Sequence, residues 1–315
     1  MAKETNELTF TKDQLKAINH DSGPILVVAG AGTGKTAVIT SRISRLILTN
    51  KAKPEEVLAL TFTDKAASEM QQRVDEILPY GFLDTQIMTF HSLAEKLLRE
   101  FALDIGLSTE FTLLSDIQQT IILQEVLNRA DFSYFRPQHD PFDFIDGIKT
   151  AISRLKDEGI DSLAFEKSLK KQMPNIGEDM AAPMRDLAAI YTKYSSLMQS
   201  KNSLDFGDML IKLQHLLKNR KKVRQELTER YKYVLVDEFQ DTNSIQMDII
   251  SSLLTKKANL MVVGDDDQAI YRFRGASVEN ILAFRSLYKQ SKIIVLKDNF
   301  RSGQVILDAG YELIC

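Results

Sequence analysis

Residues 25–37 constrain this chain more than any other stretch. The apolar run Ile25-Leu26-Val27-Val28 reads as a buried strand, and it passes without a break into Ala29-Gly30-Ala31-Gly32-Thr33-Gly34-Lys35-Thr36, after which a helical pattern starts at Ala37. A strand that delivers a glycine-rich loop ending in Lys-Thr onto a helix N-terminus is a phosphate cradle. Its glycines let successive N–H groups curl around an anion, and the helix start adds positive potential. Lys35 is then placed to reach the β- and γ-phosphates of a nucleoside triphosphate, and Thr36 to hold a magnesium ion through its hydroxyl. The strict pattern has glycine at position 29, where this chain has alanine.

Such a loop needs an α/β sheet around it. Ile25 to Val28, Val57 to Thr61 and Gln86 to Thr89 read as strands, each followed by a helical segment, and repeated βα units imply a parallel sheet. From about Ser115 to Leu217 the periodicity turns almost wholly helical, as in Ile117, Ile121, Ile122 and Val126, with Pro137, Pro141, Pro174 and Pro183 as punctuation. Strands resume at Tyr233 to Val236, Leu260 to Val263 and Ile293 to Leu296. The simplest arrangement is one parallel-sheet P-loop core interrupted by an all-helical insertion. The expected division is residues 1–114 for the first part of the core, 115–203 for the insertion, 204–302 for the second part of the core and 303–315 for the start of a further core.

The second chemical signal is the strand Val234-Leu235-Val236 ending in Asp237-Glu238. Alone, paired acids after a strand also serve as caps of the next helix. Beside a P-loop they take a nucleotide role: Asp237 next to the magnesium ion, Glu238 as the base that orients and deprotonates an attacking water. The long separation of Lys35 from Asp237 along the chain is accounted for by the helical insertion.

Composition narrows the class. With 315 residues, 44% of them hydrophobic, the chain can bury more than one domain's core. A net charge of −3 excludes a blanket electrostatic grip on nucleic acid, so any such site is a local path. The basic stretch Lys218, Arg220, Lys221, Lys222 and Arg224 reads as a solvated helix end. Cys315, the single cysteine, suits a reducing compartment, and no apolar run approaches the roughly 20 residues of a membrane span. A cytoplasmic location is the expectation.

With these residues in place, the order of motifs resembles the UvrD/Rep/PcrA group of superfamily 1 DNA helicases over nearly the whole chain. The matching strings are 29–36, Thr61-Phe-Thr-Asp-Lys-Ala-Ala67, Thr89-Phe-His-Ser92, Val236-Asp-Glu-Phe-Gln-Asp-Thr-Asn243, the run from Val263 to Ala276, and Asn299-Phe-Arg-Ser302. The resemblance implies a RecA-like core that uses ATP and Mg2+ to move 3′ to 5′ along single-stranded or partially duplex DNA. It implies that Gln14 reads the adenine edge, that Gln268 senses the γ-phosphate, that Arg301 neutralises transferring charge, and that Phe300 stacks on adenine in place of the usual tyrosine. Ala37 stands where an arginine is common, Phe273 where tryptophan is usual, and Asp64 where asparagine is usual.

For DNA, Phe62, Thr63, Phe90 and His91 follow strand ends, where open α/β sheets place ligands. Tyr271, Arg272, Phe273 and Arg274 interleave aromatic and cationic groups, which stack bases and meet phosphates without sequence preference. The resemblance also implies a second RecA-like core beyond residue 315, so that this chain alone is expected to have weak activity or none. Helicase-nuclease subunits share these motifs. Two other classes carry a P-loop: a nucleotide-switched binding module, against which Lys35, Asp237 and Glu238 argue, and a small-molecule kinase, which would need no strand-binding aromatics.

Overall fold

The computed structural model describes residues 9–78, 84–129, 131–135, 144–255, 259–265, 284 and 286–314. The chain forms two compact units, one of residues 1–89, 226–242 and 253–315 and the other of residues 90–225 and 243–252.

The first unit is built on a six-stranded, wholly parallel sheet. Its strands are β1 (Ile25–Ala29), β2 (Val57–Thr61), β3 (Gln86–Thr89), β6 (Tyr233–Val236), β7 (Asn259–Gly264) and β8 (Lys292–Leu296), in the order β3-β2-β6-β7-β1-β8. All six expected strands form. Parallel strands covered on both faces are apolar throughout, and β2 and β7 are buried at every position. Helices α1 (Lys12–Ile18), α2 (Lys35–Leu48) and α3 (Asp64–Ile77) belong to this unit, and Val38, Ile39, Ile43, Leu46, Met70 and Val74 pack with Ile25, Val27, Leu235, Met261 and Val263 in one core. Because every strand runs the same way, the loops after β1, β2, β6 and β7 leave from one edge of the sheet, the carboxyl edge where α/β folds bind ligands.

The second unit is helical. It holds α4 (Phe90–Glu100), α5 (Asp116–Asn128), α6 (Ile145–Asp157), α7 (Ser162–Gln172), α8 (Glu178–Ser200) and α9 (Phe206–Asn219), with a two-residue parallel pair, β4 (Thr112–Leu113) and β5 (Ser203–Leu204). α5 buries Ile122, Leu123, Val126 and Leu127 beside Ile148, Ile152, Ile190, Tyr191 and Tyr194, and leaves Ile117 and Ile121 exposed. This unit takes in more chain than the helical stretch expected at 115–203, because α4 packs along α9 and draws both into one core. Pro183 does not break the chain: it lies inside α8, near its N-terminal end.

A buried ion cluster ties this unit together. Lys156 of α6 is 2% exposed, and its Nζ lies 2.6 Å from Asp205 Oδ2 and 2.6 Å from Asp208 Oδ1. Tyr194 Oη donates to the same Asp205 oxygen at 2.9 Å. A Cβ on Gly207 would stand 2.6 Å from Lys156 Cδ, so only glycine admits the lysine stem to the first turn of α9. Burial alone would pull Lys156 down, but the two carboxylates hold it above its ordinary value.

Candidate functional site

The loop between β1 and α2 has the form its glycines dictate. Gly32 (φ +75°) and Gly34 (φ +85°) are left-handed, a conformation costly for a residue with a Cβ. Space is closed to side chains as well. A Cβ on Gly32 would lie 2.6 Å from Arg301 Cβ and 2.8 Å from Asn299 Oδ1, and one on Gly34 would lie 2.8 Å from Gln14 Nε2. Ala29 is the buried last residue of β1, paired with Leu296, where an extended backbone has no need of glycine. Gly30, Ala31 and Thr33 complete the turn, with Thr33 Oγ1 donating to Gly30 O at 2.8 Å. Lys35 and Thr36 open α2, whose N-terminal amides face the loop.

Segment 299–301 closes over this loop. Phe300 N donates to Gly32 O at 2.8 Å and Asn299 Nδ2 to Ala31 O at 2.6 Å. Phe300 is 64% exposed, leaving a ring face for a planar base, and Arg301 is exposed beside it. Gln14, expected to read the base, is 4% exposed; its Nε2 donates to Thr33 O at 3.0 Å and its Oε1 accepts from Thr11 N at 2.9 Å. One N–H and one lone pair of the amide remain.

At the end of β6, Asp237 is 8% exposed and Glu238 sits in the left-handed region (φ 47°, ψ 47°), a backbone state rare for a residue with a side chain. The Glu238 carboxylate accepts from Lys35 Nζ at 3.1 Å, so the two groups assigned to phosphate and water meet across the mouth of the loop. It also accepts from Gln240 Nε2 at 2.7 Å, while Gln240 Oε1 accepts from Asp265 N at 2.9 Å at the end of β7. Gln240 is 1% exposed and thus braces Glu238 against the neighbouring strand end.

Burial and the Glu238 charge push Asp237 up to about 6, and the same causes in the same order push Asp241 up to about 6. Among the described residues, Asp241 Oδ1 is buried without a hydrogen-bond partner. Lys35 is bonded to Glu238 and, among the same described residues, no lysine or arginine is bonded to Asp237 or Asp241, an excess of negative charge that suits a divalent cation at Asp237 and the Thr36 hydroxyl.

The residues expected to meet DNA divide. Phe62 and Thr63 follow β2 as expected, and the Thr63 hydroxyl caps α3 by accepting from Ala66 N at 3.1 Å. Phe90 departs from expectation: it is 4% exposed, and a ring buried in a core offers no face to a base. His91 next to it is partly exposed and meets Phe206 edge to face, with ring centroids 5.5 Å apart. Phe206 is 48% exposed at the start of α9. Sequence reasoning missed it because a lone phenylalanine after a capping Asp205 carries no signal; Gln240 and Asp241 lay inside a matched string without a role. Gln268, Tyr271, Phe273 and Arg274 lie outside the described residues.

Comparison with known proteins gives the family of the chain. Residues 10–289 match the family described as the UvrD/REP helicase N-terminal domain. The chain is 38% identical over 312 residues to a protein of Rickettsia conorii named Probable DNA helicase II homolog, which covers 97% of this chain and 45% of that protein. It is 38% identical over 313 residues to DNA helicase II of Rickettsia typhi, 97% of this chain and 44% of that one. With ATP-dependent DNA helicase PcrA of Staphylococcus aureus it shares 35% identity over 302 residues, 96% of this chain and 39% of that one. The chain thus spans less than half the length of these relatives. No described helix is long and apolar enough to cross a membrane.

Proposed function

Since the chain belongs to the UvrD/REP helicase N-terminal domain family, we propose that it is the nucleotide-binding part of a motor that spends ATP, with Mg2+, on movement along single-stranded DNA and on unwinding. The observation that carries this reading is the Lys35–Glu238 pair at 3.1 Å over the glycine loop. An ATP γ-phosphate entering the cradle competes for Lys35, and its arrival frees the Glu238 carboxylate for a water. Gln240 then keeps that carboxylate in place, so the base is already oriented when the lysine leaves it. The loop amides and the α2 N-terminus hold phosphate oxygens, and Arg301, beside Gly32, adds positive charge at the same mouth. Magnesium, bound through Thr36 and Asp237, supplies the charge neutralisation that phosphoryl transfer requires. Phe300 offers its exposed ring to the base and Gln14 its spare donor and acceptor.

His91 and Phe206 form a partly exposed aromatic pair suited to stacking on unpaired bases, and Phe62 and Thr63 at the end of β2 take a DNA-contacting role of their own. We extend it to Tyr271, Phe273 and Arg274, with Gln268 as the sensor of the γ-phosphate, and to a 3′ to 5′ direction. These rest on the family resemblance. So does a second RecA-like core in the length by which the relatives exceed this chain, and a cytoplasmic site of action. DNA-stimulated ATP turnover by the protein at its relatives' full length is the test. Stimulation supports the motor. Turnover indifferent to DNA, or phosphate passed to a small acceptor, supports a kinase, and nucleotide-dependent DNA binding without turnover supports a switch.

A further inference from the structure

Arg42 is the least expected charged residue of the first unit. It lies two turns into α2, is 1% exposed, and is pushed down to about 10 by burial and by the Arg45 charge. Among the described residues, none of its hydrogen-bond partners is a carboxylate. Its Nη1 donates to the carbonyls of Ala17 (3.0 Å), Ile18 (3.4 Å) and His20, and its Nη2 donates to Asn259 Oδ1 at 2.7 Å. Asn259, the first residue of β7, uses its other amide end to donate to Asp21 O at 2.7 Å. A buried cation with no carboxylate bonded to it is expensive, and Arg42 is held by the four oxygens that accept from it. What the guanidinium provides is a rigid fork that gathers the last carbonyls of α1, the negative end of that helix, and fastens them to α2 and β7.

The other end of α1 touches the nucleotide site. Its N-cap Thr11 and its residue Gln14 form a reciprocal capping box, and Gln14 Nε2 is pressed against the loop at Thr33 O and Gly34. At seven residues, α1 is too short to hold a position by its own hydrogen bonds, so its placement is set by the core packing of Ala17 and Ile18 and by what grips its ends. The loop grips one end through Gln14, and Arg42 grips the other.

We propose that Arg42 is a positioning residue for base recognition: by fixing the C-terminal end of α1, it sets where the Gln14 amide meets the base, and so sets the preference for adenine over guanine nucleotides. The proposal rests on the reading of Gln14 as the base-contacting residue, and a Gln14 variant tests that reading separately.

The experiment titrates this chain with fluorescent ATP and fluorescent GTP and takes the ATP-over-GTP ratio of association constants, with inorganic tripolyphosphate as a probe that lacks a base. Gln14→Ala lowers the ATP-over-GTP ratio by about tenfold, as for one lost hydrogen-bonded contact. Arg42→Met, which keeps the volume and removes the fork, lowers the ratio to the same extent with tripolyphosphate affinity retained. Combined with Gln14→Ala it lowers the ratio no further. A folded Arg42→Met chain that melts earlier but keeps the wild-type ratio overturns the proposal and leaves Arg42 a structural residue. If Arg42→Met does not fold, the same ratio is read on Arg42→Lys, which keeps the buried charge but, as a point charge without the fork, cannot gather the α1 carbonyls and Asn259 together; a wild-type ratio there overturns the proposal equally. A ratio unmoved in Gln14→Ala removes the base-reading role itself, a result distinct from failure of Arg42 alone.

Discussion

Lys156→Met takes away the one cation shared by two carboxylates in the middle of the helical unit. Methionine fills the space of the lysine stem, so the loss is one of charge and hydrogen bonding more than of volume. In the wild type Lys156 Nζ is 2.6 Å from both Asp205 and Asp208, at 2% exposure, and it lies 5.7 and 5.2 Å from the ring centroids of Tyr191 and Tyr194. Breaking a buried pair from one side leaves uncompensated charge and typically costs about 3–5 kcal/mol. For a unit of this size that corresponds to a fall in melting midpoint of roughly 6–20 °C.

The sign of the pH dependence follows. Asp208 already lies above its ordinary value, through burial and then the charge of Asp205, while Lys156 holds Asp205 below its own. Without the lysine both carboxyls are raised in the folded state, so the folded variant binds protons more readily than its unfolded chain. Its deficit against wild type is largest near neutral pH and shrinks as the carboxyls are protonated on acidification. Circular-dichroism melts of both proteins at several pH values measure this. A deficit under about 1 kcal/mol, or one that grows on acidification, would refute the claim that the cluster is held by charge.

Three further outcomes follow from the site. Phe206→Ala weakens single-stranded DNA binding by about 1–3 kcal/mol, the worth of one lost stack, with little change in salt dependence, as read by fluorescence anisotropy over a salt series. Gln240→Leu keeps ATP affinity and slows hydrolysis by about 10- to 100-fold, because Glu238 loses its brace; unchanged turnover in a phosphate-release assay would remove that role. Gly32→Ala meets both a left-handed backbone (φ +75°) and a Cβ 2.6 Å from Arg301, and equilibrium titration finds its ATP binding strongly reduced even where a melt shows the sheet intact.

How much of this was legible beforehand depended on whether the signal was local. The central strands of the sheet stood out because parallel strands buried on both faces are unbroken apolar runs, and the glycine loop because its backbone admits few other residues. β4 and β5 did not, since two residues carry no periodicity. The extent of the helical unit was not legible either: α4 follows β3 as any βα helix would, and only its packing on α9 assigns it elsewhere. Phe90 and Phe206 show the same limit for the site, because a phenylalanine in sequence does not say whether its ring is 4% or 48% exposed. Pro183 reads as a break, yet α8 runs through it, because the turns beyond it are held by the packing of Ile190, Tyr191 and Tyr194.

The central claim is that Lys35 and Glu238, paired in this structure, part on nucleotide binding to do different work. The most direct measurement sets equilibrium binding of labelled ATP beside phosphate release, with Mg2+ and saturating single-stranded DNA, for wild type, Lys35→Ala and Glu238→Gln at the relatives' full length. Lys35→Ala is expected to lose both affinity and turnover, since the cation that leaves Glu238 for the β- and γ-phosphates is gone. Glu238→Gln is expected to bind ATP at least as tightly as wild type, because Lys35 is no longer held by a carboxylate, and to turn over more slowly by about 10²–10⁴-fold. Wild-type turnover in Glu238→Gln, or wild-type affinity in Lys35→Ala, would contradict the account.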